Sequence, residues 1–224
     1  MRTLMDLLLP VECGGCRAAG ASWCRTCAGE LLAAEPLPLR PRVGGVPPAW
    51  ATGTYAGPLR AALIAAKERG RRDLARPLGR AMADAVTHLR EWGELDPPEL
   101  APLALVPAPS RRATARRRGG DPVLRVADAC AHRLGELGED RVQVLAALRT
   151  ARGARDSVGL GVGDRVENLR GRVRVRGTAQ PTPGSCVVLV DDVLTTGATA
   201  AASTAALAAH GVRVRAVLVL AAVR

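Results

Sequence analysis

Two adjacent acids near the C-terminus have the clearest chemical potential in the sequence. Asp191 and Asp192 directly follow an apolar run. Carboxylates accept hydrogen bonds but cannot donate them, so the pair suits two sugar hydroxyls or a hydrated Mg2+ ion. Either acid alone is more typical of a helix cap. Together with the loop that follows them, the two acids favour a ligand that carries a vicinal diol.

That loop has the composition of a phosphate site. Its residues are Thr195, Thr196, Gly197, Ala198 and Thr199, and an Ala-rich run that predicts a helix comes next. Backbone N–H groups at a helix N-terminus, with the positive end of the helix dipole behind them, hold a phosphate. Threonine hydroxyls add donors, and glycine lets the backbone approach closely. The alternative is an ordinary Thr-Gly turn. A site for a phosphate beside a site for a vicinal diol favours a ribose 5-phosphate as the ligand.

Four cysteines near the N-terminus have the spacing of a metal site. Cys13, Cys16, Cys24 and Cys27 form two C-x2-C pairs. Two such pairs can place four thiolates tetrahedrally around Zn2+, and a site with four cysteine ligands has no open position for chemistry. We therefore expect a structural zinc ion. A redox pair and an iron–sulfur cluster are the alternatives.

Two cations are candidates for holding a pyrophosphate group. Lys67 is the only lysine among 32 basic residues, and it ends an apolar helical run. A compact ammonium group on a flexible stem can reach a polyphosphate from a helix end, although chance retention of one lysine is an equal alternative. Arg118 lies in an Arg-rich segment that follows a short apolar run. Such a segment either meets a polyphosphate or forms a solvated surface.

A sheet and its helices must bring these residues together. Predicted elements alternate along the chain, with strands at 103–106, 187–190 and 212–223 and helices at 59–67, 74–89, 123–137 and 198–209. A continuous apolar run is typical of a strand that is buried on both faces of a parallel sheet. Ligands of such α/β sheets bind beyond the carboxyl ends of the strands, where the acids and the loop fall.

Composition and charge are those of a globular chain with anionic partners. The chain has 224 residues, of which 48% are hydrophobic, and a net charge of +11. The length fits one α/β domain with a small appendage. The basic excess favours nucleotide-like molecules or nucleic acid as partners. Because no apolar run approaches the ~18 residues of a membrane span, and residues 1–10 do not resemble a secretory signal, we expect a cytoplasmic protein.

The chain divides into three predicted parts. Residues 1–35 contain the cysteines and are predicted to form a zinc module. Residues 36–48 are rich in proline and are predicted to be a linker. Residues 49–224 are predicted to form the α/β domain. Within it, residues 148–152 and 159–168 make up a polar, glycine-rich stretch that is long enough to form a flap over the site.

The order of these segments resembles a known family. Residues 187–199 resemble the phosphoribosyl pyrophosphate (PRPP) signature of type I phosphoribosyltransferases, in which two acids contact the ribose hydroxyls and the loop holds the 5-phosphate. Together with the four-cysteine segment, residues 64–67 and the sequence Val106-Pro107-Ala108-Pro109, this makes the chain similar to the ComF family over nearly its whole length.

The resemblance implies a fold, a ligand and a set of residues. The fold is a type I phosphoribosyltransferase-like parallel sheet flanked by helices, with a small N-terminal zinc-binding module. The ligand is PRPP with Mg2+. The implied catalytic residues are Asp191, Asp192, Lys67 and Arg118. Purine salvage is not expected, because Thr195 stands where purine-salvage relatives carry an aspartate base, and a hydroxyl cannot take that proton at neutral pH.

Three functions are compatible with the sequence. The first is a PRPP-binding protein that transfers phosphoribose to an acceptor, which the sequence does not identify. The second is a non-catalytic accessory protein in the uptake of single-stranded DNA, because ComF relatives are associated with natural competence. Its partner would be a DNA-uptake helicase or the single strand itself. The third is a zinc adaptor whose second domain is vestigial.

Overall fold

Five helices and eight strands make up the part of the chain that the structure describes, which is residues 11–32, 35–109, 120–151, 172–176 and 180–223 of a computed structural model. Helices α1 to α5 are Arg25–Leu32, Gly57–Glu68, Ala75–Glu91, Pro122–Glu136 and Ala198–Ala208. Strands β1 to β8 are Leu37–Leu39, Ala49–Ala51, Leu103–Pro107, Val142–Val144, Leu148–Thr150, Val173–Val175, Cys186–Leu194 and Ala216–Ala222. A 3-10 turn, Arg72–Leu74, joins α2 to α3.

Six strands form one mostly parallel sheet in the order β1-β2-β8-β7-β3-β4. The five strands β2, β8, β7, β3 and β4 run parallel to one another, and β1 pairs antiparallel with β2 at the edge. Strand β7 lies between β8 and β3, and its first five residues are buried. Their apolar character on both faces suits this central position. The prediction of an α/β fold with a parallel sheet flanked by helices is therefore confirmed.

Helices cover both faces of the sheet. On one face, α2, α3 and α4 pack against alternate strand residues such as Val188, Val190 and Leu218. On the other face, α5 packs against the intervening residues, such as Val187 and Leu189. This alternation follows from the two-residue repeat of a β-strand. None of the helices in the described ranges is both long and apolar enough to cross a membrane.

A close helix contact and a buried ion pair hold α3 against α4. A Cβ atom added at Gly79 would lie 2.5 Å from the Cβ of Ala129, so only glycine permits this approach. At the end of α3, Arg90 Nη1 lies 2.7 Å from Glu139 Oε2, and the two side chains are 7% and 13% exposed. Burial raises the pKa of Glu139, whereas the charge of Arg90 lowers it. These contacts fix the two helices that border the candidate site.

Part of the predicted linker belongs to the sheet. Residues 37–39 form the edge strand β1, in which Leu37 pairs with Ala51 and Leu39 with Ala49. Proline is tolerated there because an edge strand has one side without a hydrogen-bonded neighbour. The stretch predicted to form a flap is described only in its first part, where residues 148–150 form strand β5, which pairs antiparallel with β6. Residues 159–168 lie outside the described residues.

Candidate functional site

Asp191 and Asp192 lie close to the carboxyl end of the central strand β7 and line a cleft that is open to solvent. The sequence predicts that this strand ends before the acids, but in the structure it does not. It continues to Leu194, because its pairing with β8 extends to Ala222. The other residues of the cleft are mostly apolar and come from α2, α3, α4 and β8: Leu63, Ala66, Lys67, Leu78, Pro122, Val123, Val126 and Leu220.

A change in the side-chain alternation lets both acids reach this one cleft. Neighbouring residues of a regular strand point to opposite faces, so two consecutive acids would be separated by the sheet. Here Val190 packs on the face of α2, α3 and α4, whereas Leu194 packs on the face of α5. Two residues with the same parity therefore lie on opposite faces, and the alternation must shift at the acids between them.

Local hydrogen bonds orient both carboxylates. Asp191 Oδ1 accepts the backbone N–H of Asp192 at 2.8 Å, and Asp192 Oδ1 accepts the N–H of Val193 at 2.8 Å. Each bond engages one oxygen of its carboxylate. The second oxygen of Asp192, Oδ2, lies 2.7 Å from the ammonium nitrogen of Lys67. The acids are thus held in fixed orientations before any ligand arrives.

The environment of Asp191 disfavours its charged form. Burial, together with the neighbouring charge of Asp192, raises the pKa of Asp191 to about 7, although the hydrogen bond from Asp192 N–H and the charge of Lys67 act in the opposite direction. Near neutral pH, Asp191 is therefore divided between its protonated and ionised forms. A cation or a hydroxyl donor that enters the cleft would favour ionisation.

Lys67 is in the last turn of α2, and its side chain is 47% exposed. The sequence analysis expected this ammonium group to reach the site from a helix end, and its contact with Asp192 brings the two predicted residues together. Arg118, the other predicted cation, lies outside the described residues. The catalytic role of either cation stays a prediction.

The loop after β7 leads directly into α5. The helix begins at Ala198, and Gly197 precedes it with a φ of 89°, in the left-handed region that favours glycine. The Ala198 N–H donates to Thr196 Oγ1 at 3.3 Å, and Thr196 is 5% exposed. Thr195 is exposed and Thr199 is partly buried. The five predicted phosphate-binding residues are therefore together at a helix N-terminus, as the sequence analysis expects.

A segment that the sequence analysis assigned to the linker covers this loop. The Arg42 N–H donates to the Thr196 carbonyl at 3.0 Å. A Cβ atom on Gly197 would lie 2.9 Å from Pro41 Cβ and 3.4 Å from side-chain atoms of Val43 and Val46. Glycine is thus required here both by the backbone angle and by the covering segment, which we call the strap (residues 40–46). Its Pro/Gly composition gives no signal of this contact, because the partner lies about 150 residues further along the chain.

The N-terminus of α4 borders the same cleft. Asp121 caps this helix by accepting the N–H groups of Val123 at 3.0 Å and Leu124 at 3.5 Å, and Pro122 lines the cleft. The charge of Asp121 also contributes to the raised pKa of Asp191. The sequence signal for this arrangement is an Asp-Pro pair at a predicted helix start.

The four N-terminal cysteines form a compact cluster. The sulfur atoms of Cys13, Cys16, Cys24 and Cys27 all lie within 4.8 Å of one another. Two of these separations are 3.7 Å, between Cys13 and Cys27, and 3.5 Å, between Cys16 and Cys24. Zinc–sulfur bonds of ~2.3 Å at tetrahedral angles would place the sulfurs about 3.8 Å apart. The donor set and its spacing therefore fit a zinc ion.

Hydrogen bonds within the cluster favour the thiolate form of Cys13. Burial acts against ionisation of Cys13, but hydrogen bonds from the backbone of Cys24, Cys16 and Gly15 outweigh it and lower its pKa to about 6. The N–H groups of Gly15 and Cys24 lie 3.4 and 3.3 Å from the Cys13 sulfur. Burial, together with the neighbouring sulfurs, raises the pKa of Cys27. A bound cation would favour the thiolate forms of all four cysteines.

The described residues thus define an α/β protein with a mostly parallel six-stranded sheet, a mostly apolar cleft that contains Asp191 and Asp192, and an N-terminal four-cysteine cluster that could hold a zinc ion. Comparison with models of known protein families gives no match for this chain, and a search of curated proteins finds no similar one.

Proposed function

We propose that this protein binds PRPP together with Mg2+ at the carboxyl end of β7 and transfers its phosphoribosyl group to an acceptor, on a fold of the type I phosphoribosyltransferase kind. One observation carries the proposal: two oriented carboxylates, an ammonium group and a helix N-terminal loop follow one another around the end of a single strand. A vicinal diol, a pyrophosphate and a 5-phosphate require these three kinds of group.

Each part of the site has a distinct role in this proposal. The carboxylates of Asp191 and Asp192 accept hydrogen bonds from the ribose hydroxyls. The loop of residues 195–199 at the N-terminus of α5 holds the 5-phosphate. Mg2+, when bound with the ligand, would neutralise charge on the departing pyrophosphate. The negative charge of the acids lies beside the ring, where it stabilises the positive charge that develops as pyrophosphate leaves.

Lys67 can exchange its protein partner for the ligand. Its ammonium group is within 2.7 Å of Asp192, and its side chain is 47% exposed, whereas that of Asp192 is 17% exposed. The side chain can therefore leave Asp192 and contact the pyrophosphate, which frees the carboxylate for the ribose hydroxyls.

Calorimetric titration of the full chain with PRPP and Mg2+ tests the proposal. Binding should weaken more than tenfold in Asp191→Asn, since one good hydrogen bond to a charged acceptor contributes about 1.5–3 kcal/mol. Asp140→Asn makes the same charge change at an exposed residue just before β4 and should bind like the wild type. Absence of binding to the wild type, or equal binding by both variants, would contradict the proposal.

Release of pyrophosphate separates transfer from binding alone. The wild type with PRPP, Mg2+ and a mixture of nucleobase and amine acceptors should release pyrophosphate, and Asp191→Asn should not. Binding without release under any of these conditions would leave a PRPP-binding protein and would refute the transferase part of the proposal.

A further inference from the structure

We propose that Arg71 is a positioning residue, which links the metal-binding state of the four-cysteine cluster to the segment that carries Lys67. Arg71 lies immediately before the 3-10 turn between α2 and α3, four residues after Lys67. Its contacts reach both cysteine pairs on one side and the end of α2 on the other. The link between Lys67 and catalysis rests on the proposed function, whereas the link between the cluster and the segment does not.

The guanidinium group of Arg71 contacts a carbonyl beside each cysteine pair. Its Nη2 lies 3.1 Å from the carbonyl oxygen of Glu12, the residue before Cys13, and 3.5 Å from that of Ser22, two residues before Cys24. The Ser22 carbonyl also accepts the N–H of Gly14 at 2.9 Å. A metal ion bound by all four sulfurs would hold the two pairs at a fixed separation. Arg71 therefore contacts both parts that the metal joins.

Asp73 fixes the guanidinium group in this position. Arg71 Nε lies 2.9 and 3.2 Å from the two carboxylate oxygens of Asp73, and Nη2 lies 2.6 Å from Oδ2. This is a two-pronged contact of the kind that gives arginine–carboxylate pairs their defined geometry. Lysine cannot reproduce it, because an ammonium group is a point donor without a planar fork.

The other end of the link is the last turn of α2. The backbone N–H groups of Arg69 and Arg71 donate to the Ala65 carbonyl at 3.1 and 3.2 Å. Ala65 precedes Lys67 by two residues in this turn. The Arg71 backbone is therefore bonded to the turn that presents Lys67 to Asp192, while its side chain contacts the carbonyls of Glu12 and Ser22, which lie near the two cysteine pairs.

Apolar contacts of the cluster support the same connection. A Cβ atom at Gly14 would lie 2.6 Å from a methyl carbon of Leu74, which is fully buried in the 3-10 turn. A Cβ atom at Gly15 would lie 2.9 Å from Pro58 in the first turn of α2. The backbone of the first cysteine pair thus packs against both ends of the segment 58–74. We expect loss of the metal to weaken this contact first at the polar hydrogen bonds of Arg71.

Amide hydrogen exchange of the zinc-loaded and zinc-free protein tests the link without any ligand. In the wild type, removal of zinc by a chelator should accelerate exchange in residues 69–74 by roughly tenfold, within the range of typical coupling between sites. Arg71→Ala with zinc bound should show the same acceleration, and removal of zinc from this variant should add little. Amides of β8 report on global unfolding and should change in neither case. Zinc content is measured in every sample.

The controls make each outcome decisive. Arg72→Ala removes the neighbouring exposed arginine and should behave like the wild type. Arg71→Lys keeps the charge without the fork and should give an intermediate acceleration, which serves if Arg71→Ala does not fold. The link is refuted if zinc removal accelerates exchange in Arg71→Ala as much as in the wild type, or if β8 exchanges as fast as residues 69–74.

Titration with PRPP and Mg2+ then connects the link to the site. Zinc removal should weaken binding by the wild type several-fold and leave the weaker binding by Arg71→Ala unchanged. Unequal exchange with equal binding would confine Arg71 to the turn and refute its effect on Lys67. A wild type that shows the exchange pattern but no binding would refute the proposed function and leave the structural link intact.

Discussion

Replacement of Asp191 by Asn should stabilise the ligand-free protein while it weakens the proposed binding of PRPP. Burial and the adjacent Asp192 raise the pKa of Asp191 from its ordinary 3.8 to about 7, so ionisation of this carboxyl is unfavourable in the folded chain. Asparagine has nearly the same shape. Its carbonyl oxygen can still accept the Asp192 N–H, which Asp191 Oδ1 accepts at 2.8 Å.

The gain in stability from Asp191→Asn should increase as the pH rises. Because the pKa is higher in the folded than in the unfolded chain, the contribution of Asp191 to the free energy of unfolding decreases from about pH 4 to about pH 7 and is constant above that. A tenfold difference in proton affinity corresponds to about 1.4 kcal/mol. The raised pKa of Asp191 therefore lowers the free energy of unfolding by up to about 4 kcal/mol at pH 8, and by about half of this at pH 5.5.

Urea unfolding followed by circular dichroism measures this difference. The advantage of Asp191→Asn over the wild type should increase by roughly 2 kcal/mol between pH 5.5 and pH 8. Any effect of pH on the cysteine cluster is common to both proteins and cancels in the comparison. Asp140→Asn, which removes an exposed carboxylate, should show no such increase. Destabilisation by Asp191→Asn at pH 8, or an equal advantage at both pH values, would refute the reasoning.

Three further substitutions test separate features of the fold and the site. Gly197→Ala should lower the free energy of unfolding by about 1–3 kcal/mol more than Gly184→Ala. Both glycines have a positive φ, 89° and 76°, but of the two only Gly197 has other atoms within 4 Å of an added Cβ. Equal losses in urea unfolding would show that the strap does not press on the loop. Arg90→Met leaves the Glu139 carboxylate buried without its partner and should lower the free energy of unfolding, measured by thermal unfolding, by about 3–5 kcal/mol. The added substitution Glu139→Leu should restore most of this loss. If it does not, the unpaired carboxylate is not the cause of the loss. Lys67→Ala should weaken binding in the PRPP titration, whereas unchanged binding would exclude Lys67 from the site.

Local sequence patterns predicted the elements and the composition of the candidate site. The apolar run before the acids indicated a central parallel strand, and the Ala-rich run after Gly197 indicated the helix that the structure places there. The cysteine spacing predicted a cluster of four sulfurs, which the structure confirms. These predictions succeed because each depends on residues that are close together in the chain, where backbone geometry limits their separation.

Contacts between distant residues were decided by the tertiary structure alone. The two acids share a cleft because the alternation of β7 shifts where it pairs with β8, and no property of the Asp-Asp pair itself predicts that shift. The strap on Gly197 and the contacts of Arg71 with the carbonyls of Glu12 and Ser22 also join segments that the sequence treats as separate. Residue types determined which chemistry this chain can offer, whereas the packing of its helices and strands determined which of those groups meet, because the free energy of packing depends on the whole fold.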